Sequence, residues 1–147
     1  MSASNSFENS ILLLVFNNTD FANIGDAGGL QNSAAAGSLY VSLHTSDPGE
    51  AGDQTTNETV YTNYLRQGVL RAAGAGGFTV ASNAVTLSTA TSFPACGVTG
   101  ATITHFGIGT ASSGAGVLLF SGTVTPNIVV SSGVTPQLTT ATSVSCD

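Results

Sequence analysis

Two hydrophobic rhythms divide the chain. In the stretch NSFENSILLLVFNN, Phe7, Ile11, Leu14 and Val15 recur at intervals of three and four, and Leu12 and Phe16 widen the same face. That spacing lines one side of an α-helix. Ser4 or Asn5 supplies an N-cap, Glu8 places a carboxylate in the first turn, and Asn17-Asn18 supplies a stop. A helix over residues 5–17 is predicted. A buried strand over Ile11 to Phe16 is the competing reading, disfavoured because the apolar spacing reaches back to Phe7.

From residue 38 a period of two takes over. In SLYVSLHT, Leu39, Val41 and Leu43 point one way while Tyr40, Ser42 and His44 point the other. Further strands are predicted at 64–71, 77–81, 84–88, 102–109, 116–124, 127–131 and 142–146, with Gly, Pro, Ser or Asn between nearly every pair. Short strands at this spacing predict an all-β fold, a β-sandwich or jelly-roll-like architecture with one short N-terminal α-helix. Between helix and strands, residues 18–37 read as an extended loop rich in Asn, Asp and Gly, with Phe21, Ile24 and Leu30 as isolated apolar anchors. Long connections of this kind are usually binding loops or segments ordered by a neighbour. The AAGAGG run at 72–77 reads as a flexible hairpin tip, and no fixed repeat appears. The expected organisation is a single domain over 1–147, with its β-sandwich at 38–147.

Composition narrows function. The 147 residues are 41% hydrophobic and 7% charged, with a net charge of -6, so a folded core is expected. Lysine is absent, and Arg66 and Arg71 are the only fixed cations. Replacing the counterions of a nucleic-acid backbone takes several cations, so nucleic acid is excluded as a direct partner, and anionic membrane surfaces with it. A surface so poor in charge suits a protein packed against other protein. The longest apolar run, Ile11 to Phe16, falls far short of the roughly 18 residues a membrane span needs, and no basic region precedes it. Synthesis and retention in a cytoplasm are expected.

Candidate chemistry is sparse. His44, Asp47, Glu50 and Asp53 cluster in sequence and could hold a hard cation. Asp47-Pro48-Gly49 is also good turn chemistry, which is the favoured reading. His105 sits in an apolar strand and reads as a sheet histidine. A Ser-His-Asp triad stays open among so many serines, but no G-x-S-x-G is present to support one. The Gly-rich stretches at 74–77 and 107–116 lack the Lys of a phosphate loop and read as turns. Cys96 and Cys146 match no zinc spacing and are expected as free thiols, a disulfide being the alternative. Arg66 follows Tyr61 and Tyr64 and either pairs with Glu58 to hold the fold or anchors a partner surface. No catalytic, metal or cofactor-binding residues are assigned.

The order SFENSILLLVFNN, LYVSLHTSDPGEAG, TNETVYTNYLRQGV, SNAVTLSTATSFP, ITHFGIG, LLFSGTVT and a Thr-rich terminal strand resembles a family of small virion proteins of tailed bacteriophages, described as tail fibre or head decoration proteins. LYVSLHTSDPGEAG followed by a Tyr-x-Arg segment is the most specific part; the excursion at 17–37 and the two cysteines depart from the pattern. The resemblance implies a structural, non-enzymatic role in the virion and supplies no catalytic residues; no cofactors are expected. The expectation is a capsid decoration (cement) protein, a homotrimer on the outer capsid surface that bridges subunits of the major capsid protein. The alternative is a tail or head fibre component that binds a host-surface receptor. Candidate partner contacts are Phe21, Ile24, Leu30, Tyr40, Tyr61, Tyr64 and Arg66.

Overall fold

A computed structural model describes residues 2–146. The elements in chain order are helix α1 (Asn5–Asn17) and strands β1 (Ser38–His44), β2 (Gln67–Leu70), β3 (Phe78–Ala81), β4 (Ala84–Leu87), β5 (Thr91–Ser92), β6 (Ala101–Gly109), β7 (Leu118–Val130), β8 (Gln137–Leu138) and β9 (Ser143–Ser145). The fold is all-β with one short N-terminal helix, as the two rhythms predict. No described helix is long and apolar enough to cross a membrane. The chain gathers into two compact units, one holding the chain to Ser38, Val69–Ala90 and the chain from Thr139, the other holding Leu39–Gly68 and Thr91–Leu138.

In the first unit α1 packs on the antiparallel sheet β3-β4-β9. Ser4 caps the helix by accepting from the Phe7 N–H at 3.3 Å, and Asn18 ends it in the left-handed region at φ 53. The buried stripe differs from the predicted face. It runs through Glu8, Leu12 and Phe16, while Phe7 is 45% exposed. The strip at i, i+4 and i+8 is the one that meets the sheet, where the Phe16 ring stands edge-on to Phe78 at 4.9 Å. Each fully buried side chain of this size contributes about 1.5–3 kcal/mol over an exposed one.

Residues 18–37 are ordered by their own hydrogen bonds. Asn18 and Ser33 bond reciprocally at 2.8 and 2.9 Å. Asp20 accepts from Asn32 N–H at 2.7 Å. Phe21 and Leu30 exchange two backbone bonds of 2.9 Å. At the tip Asp26 accepts from the N–H groups of Gly28 and Gly29. Gly29 has φ 60 and no room for a Cβ, which would lie 2.1 Å from the Phe21 carbonyl oxygen. Arg71 donates to the carbonyls of Val15 at 2.7 Å and Leu14 at 2.8 Å, so a cation meets the negative end of the helix dipole.

In the second unit β1 pairs with β6 and β6 with β7, all antiparallel, and β5 pairs with β8. Leu39, Val41 and Leu43 from β1 and Ile103, Phe106 and Ile108 from β6 form its core. The strands predicted at 116–124 and 127–131 are one strand, β7, which continues through a cis Thr125–Pro126 bond. An edge strand tolerates proline because its outer N–H has no ladder partner to lose. The pairing slips there, from Ile103↔Ile128 to His105↔Thr123. The two-residue strands β5 and β8 were not predicted, since a pair of residues shows no period.

Candidate functional site

A polar network lies in the second unit, where residues 53–66 run against the end of β1. Alternation along β1 gives way to continuous burial from Val41 to His44, because its second face is covered too. Asn57 and Thr59 bond back to Thr45 and Leu43 at 2.9 Å. Ser42 and His44 are fully buried beneath this segment. His44 Nδ1 lies 2.9 Å from the Thr56 carbonyl oxygen, which can only accept, so Nδ1 carries the proton. Nε2 therefore accepts from the Ser42 hydroxyl at 2.8 Å. Both groups are at 0% exposure, and through Nδ1 the pair holds Thr56 against β1. Gly107, opposite Ser42 in register, makes the space: a Cβ there would sit 2.7 Å from Ser42 Oγ and 2.8 Å from His44 Nε2. Burial lowers the His44 pKa below 6.5, with Arg66 and His105 acting in the same direction and the Thr56 bond and Glu58 opposing them.

Beside this pair, Arg66 forms a bidentate ion pair with Glu58, Nε to Oε1 at 2.6 Å and Nη2 to Oε2 at 2.7 Å. Its remaining donors reach the carbonyls of Ala111 at 2.9 Å and Gly114 at 2.8 Å, in the loop joining β6 to β7. The Glu58 bonds hold the guanidinium charged, raising its pKa further. Tyr64 completes the chain by accepting from Leu43 N–H at 3.0 Å and donating to Glu58 at 2.9 Å. Burial is the main reason its phenol pKa is raised. Gln54, fully buried, latches the same loop: its Oε1 accepts from Ala111 N–H at 2.8 Å and its own N–H donates to Ala115 at 2.9 Å.

The turn after β1 holds the carboxylates noted in the sequence. Asp47 accepts from Gly49 N–H at 2.9 Å, and Asn57 Nδ2 donates to the Asp47 carbonyl at 2.8 Å. Asp53 accepts from both the hydroxyl and the N–H of Thr55, which lowers its pKa. These are the backbone-holding bonds expected of a turn. Among the described residues no three His, Cys, Asp or Glu side chains come together to hold a metal ion. Facing this turn, residues 118–121 of β7 close one side of a cleft of about 410 Å³, whose other side carries Asp47, Gly49, Glu50 and Gly52.

The predicted contact residues fall into two groups. Ile24 and Leu30 are exposed, and Phe21 is half-buried with its ring 5.6 Å from Phe7, so these three border a surface. Tyr40 is half-buried. Tyr61 and Arg66 are 2% and 8% exposed, and their polar groups are engaged within the chain. The Tyr61 hydroxyl donates to the Pro94 carbonyl at 2.9 Å, and burial pushes its pKa up to about 12. Tyr64 is half-buried, with its hydroxyl spent inside the network. His105 bonds to Thr104 Oγ1 at 2.8 Å. Cys96 and Cys146 are free thiols. Gln54 and Ser42 carry no pattern by which a single sequence displays their roles. Arg71 had a signal in being one of two cations in the chain.

No curated protein matches the chain. A protein-family model described as podophage GP4 fiber I protein gp80 matches residues 2–144, nearly the whole length. The order of motifs, the β-rich fold with its N-terminal helix and this match agree: the chain belongs to the podophage GP4 fiber I protein gp80 family, a fibre-type family of tailed-phage virion proteins.

Proposed function

We propose that the protein is a structural subunit of the phage fibre apparatus and takes part in contact with the host surface. The observation that carries this reading is the family match across residues 2–144, whose description names a fibre protein. The structure adds physical support. Its buried polar groups serve rigidity: the Ser42–His44 pair and the Glu58–Arg66–Tyr64 network fix loops in place. Rigid loops at strand ends are the usual platform for recognition. No step of catalysis is assigned to the protein in this reading.

Decoration of the capsid, with the major capsid protein as partner and a homotrimer as the binding form, is the second reading. It is favoured by the exposed apolar side chains Phe7, Ile24 and Leu30, which suit attachment to a protein shell. Competition decides between the two. Added purified protein is expected to slow adsorption of phage to host cells by occupying receptors. Unchanged adsorption, together with saturable binding to isolated capsids and raised capsid heat resistance, would transfer the protein to the decoration role.

A further inference from the structure

We propose that the cleft between the turn after β1 and the start of β7 binds a neutral or amino sugar of a bacterial surface polysaccharide; the assignment rests on the fibre reading. The cleft measures about 410 Å³, within the roughly 300–1,000 Å³ of small-ligand sites. That is room for a short saccharide rather than an extended peptide.

Its two walls differ in chemistry. Asp47 and Glu50 stand on one side; Leu118, Phe120 and Ser121 belong to the other. Glu50 is exposed and makes no side-chain hydrogen bond among the described residues, and Asp47 commits one oxygen to Gly49 and keeps the other. A pyranose has the complementary character. Its hydroxyls donate to carboxylates in charge-assisted bonds, and its C–H face packs on apolar side chains.

The turn wall is also preformed. A Cβ at Gly52 would lie 2.2 Å from the Pro48 carbonyl oxygen, so the backbone doubles back as closely as glycine permits. Asn57 ties the Asp47 carbonyl at 2.8 Å. Binding at such a wall costs little ordering entropy.

Charge selects among sugars. Arg66 and Arg71 both donate to their own chain, and residues 72–146 contain no Asp, Glu, Lys or Arg. A uronic or sialic acid would meet two carboxylates and no cation, whereas a neutral sugar meets acceptors and an amino sugar meets opposite charge.

The test is amide chemical-shift titration of the full chain with glucose, galactose, rhamnose, glucosamine and glucuronic acid, with a tri-lysine peptide as the basic comparator. Saturable shifts at residues 47–52 and 118–121 are expected with at least one neutral or amino sugar, and none with glucuronate. Loss of one charge-assisted bond in Glu50→Gln should weaken that binding about 10-fold or more. Because Glu50 is exposed, the rest of the spectrum should stay unchanged. The Ser121→Ala variant is expected to weaken binding as well. Absence of shifts with every sugar, preference for glucuronate, binding of tri-lysine only, or an unweakened Glu50→Gln variant would each overturn the assignment. A null titration would leave the fibre placement standing, because adsorption competition and localisation in the virion read that placement without reference to this cleft.

Discussion

Removing the Arg66 guanidinium tests the claim that the polar network holds the second unit together. The group makes four hydrogen bonds, two to Glu58 at 2.6 and 2.7 Å and one each to the carbonyls of Ala111 and Gly114. Its side chain is 2% exposed and that of Glu58 15%. Arg66→Ala would leave the Glu58 carboxylate desolvated with only Tyr64 as donor, and release the loop between β6 and β7. Breaking one side of such a pair costs about 3–5 kcal/mol. With a urea slope near 2 kcal/mol/M, the unfolding midpoint should fall by on the order of 2 M. Arg66→Lys keeps the charge but cannot reproduce a planar fork with two further carbonyl bonds, so a loss of about 1–3 kcal/mol is expected. Urea unfolding followed by circular dichroism measures both variants. Hydrogen exchange at Ala111 and Gly114 should show the loop opening first. If Arg66→Ala shifted stability by less than about 0.5 kcal/mol, or Arg66→Lys matched the parent, the network would be ornament rather than scaffold.

Three further outcomes are expected. Burial lowers the folded-state pKa of His44 below 6.5, so the unfolded chain binds more protons in that window. Its contribution to stability is full above pH 6.5 and is lost as pH falls through the lowered folded value; urea midpoints measured from pH 7.5 downward should decline, and less steeply in His44→Gln, with equal slopes contradicting the reading. Gly107→Ala would press a methyl within 2.8 Å of Leu118 Cδ1 as well as into the Ser42–His44 pair; a loss of about 1–3 kcal/mol in thermal or urea unfolding is expected, and no loss would mean that the pair has slack. Asn18→Ala puts a Cβ-bearing residue without a capping amide at φ 53 and removes both bonds to Ser33; about 2 kcal/mol of local protection should disappear, read as faster proteolysis within residues 19–33, and unchanged cleavage would show that the loop is held by something else.

The sequence revealed what periodicity and composition govern. Helix α1 was legible to the residue because its caps are local: Ser4 and Asn18 act on backbone within one turn. Its buried face was not, because Phe7 and Glu8 exchange roles once the sheet is in place, and no helical wheel knows where the sheet lies. Strand β1 was legible in direction, but the burial of Ser42 and His44 depends on a segment arriving from residues 53–59. Proline suggested a break at 126 in what is one strand, since only the edge position of β7 makes the missing N–H harmless. The pairing of Arg66 with Glu58 could be weighed from their closeness in sequence and the scarcity of cations. Its bonds to Ala111 and Gly114 span 45 and 48 residues and leave no trace in a single sequence. The cleft has the same character: its acidic turn was visible, while the wall from β7 comes from the tertiary fold.

The protein belongs to a fibre-type family of virion proteins, and work on the fibres is the role proposed for it. Locating it in intact phage tests this most directly, by cryo-electron microscopy of virions with an antibody fragment bound to the chain. Density is expected on the fibres, at a copy number matching the fibre symmetry, with the capsid surface unlabelled. Regular labelling of the capsid lattice, with bare fibres, would contradict it and establish the decoration role instead.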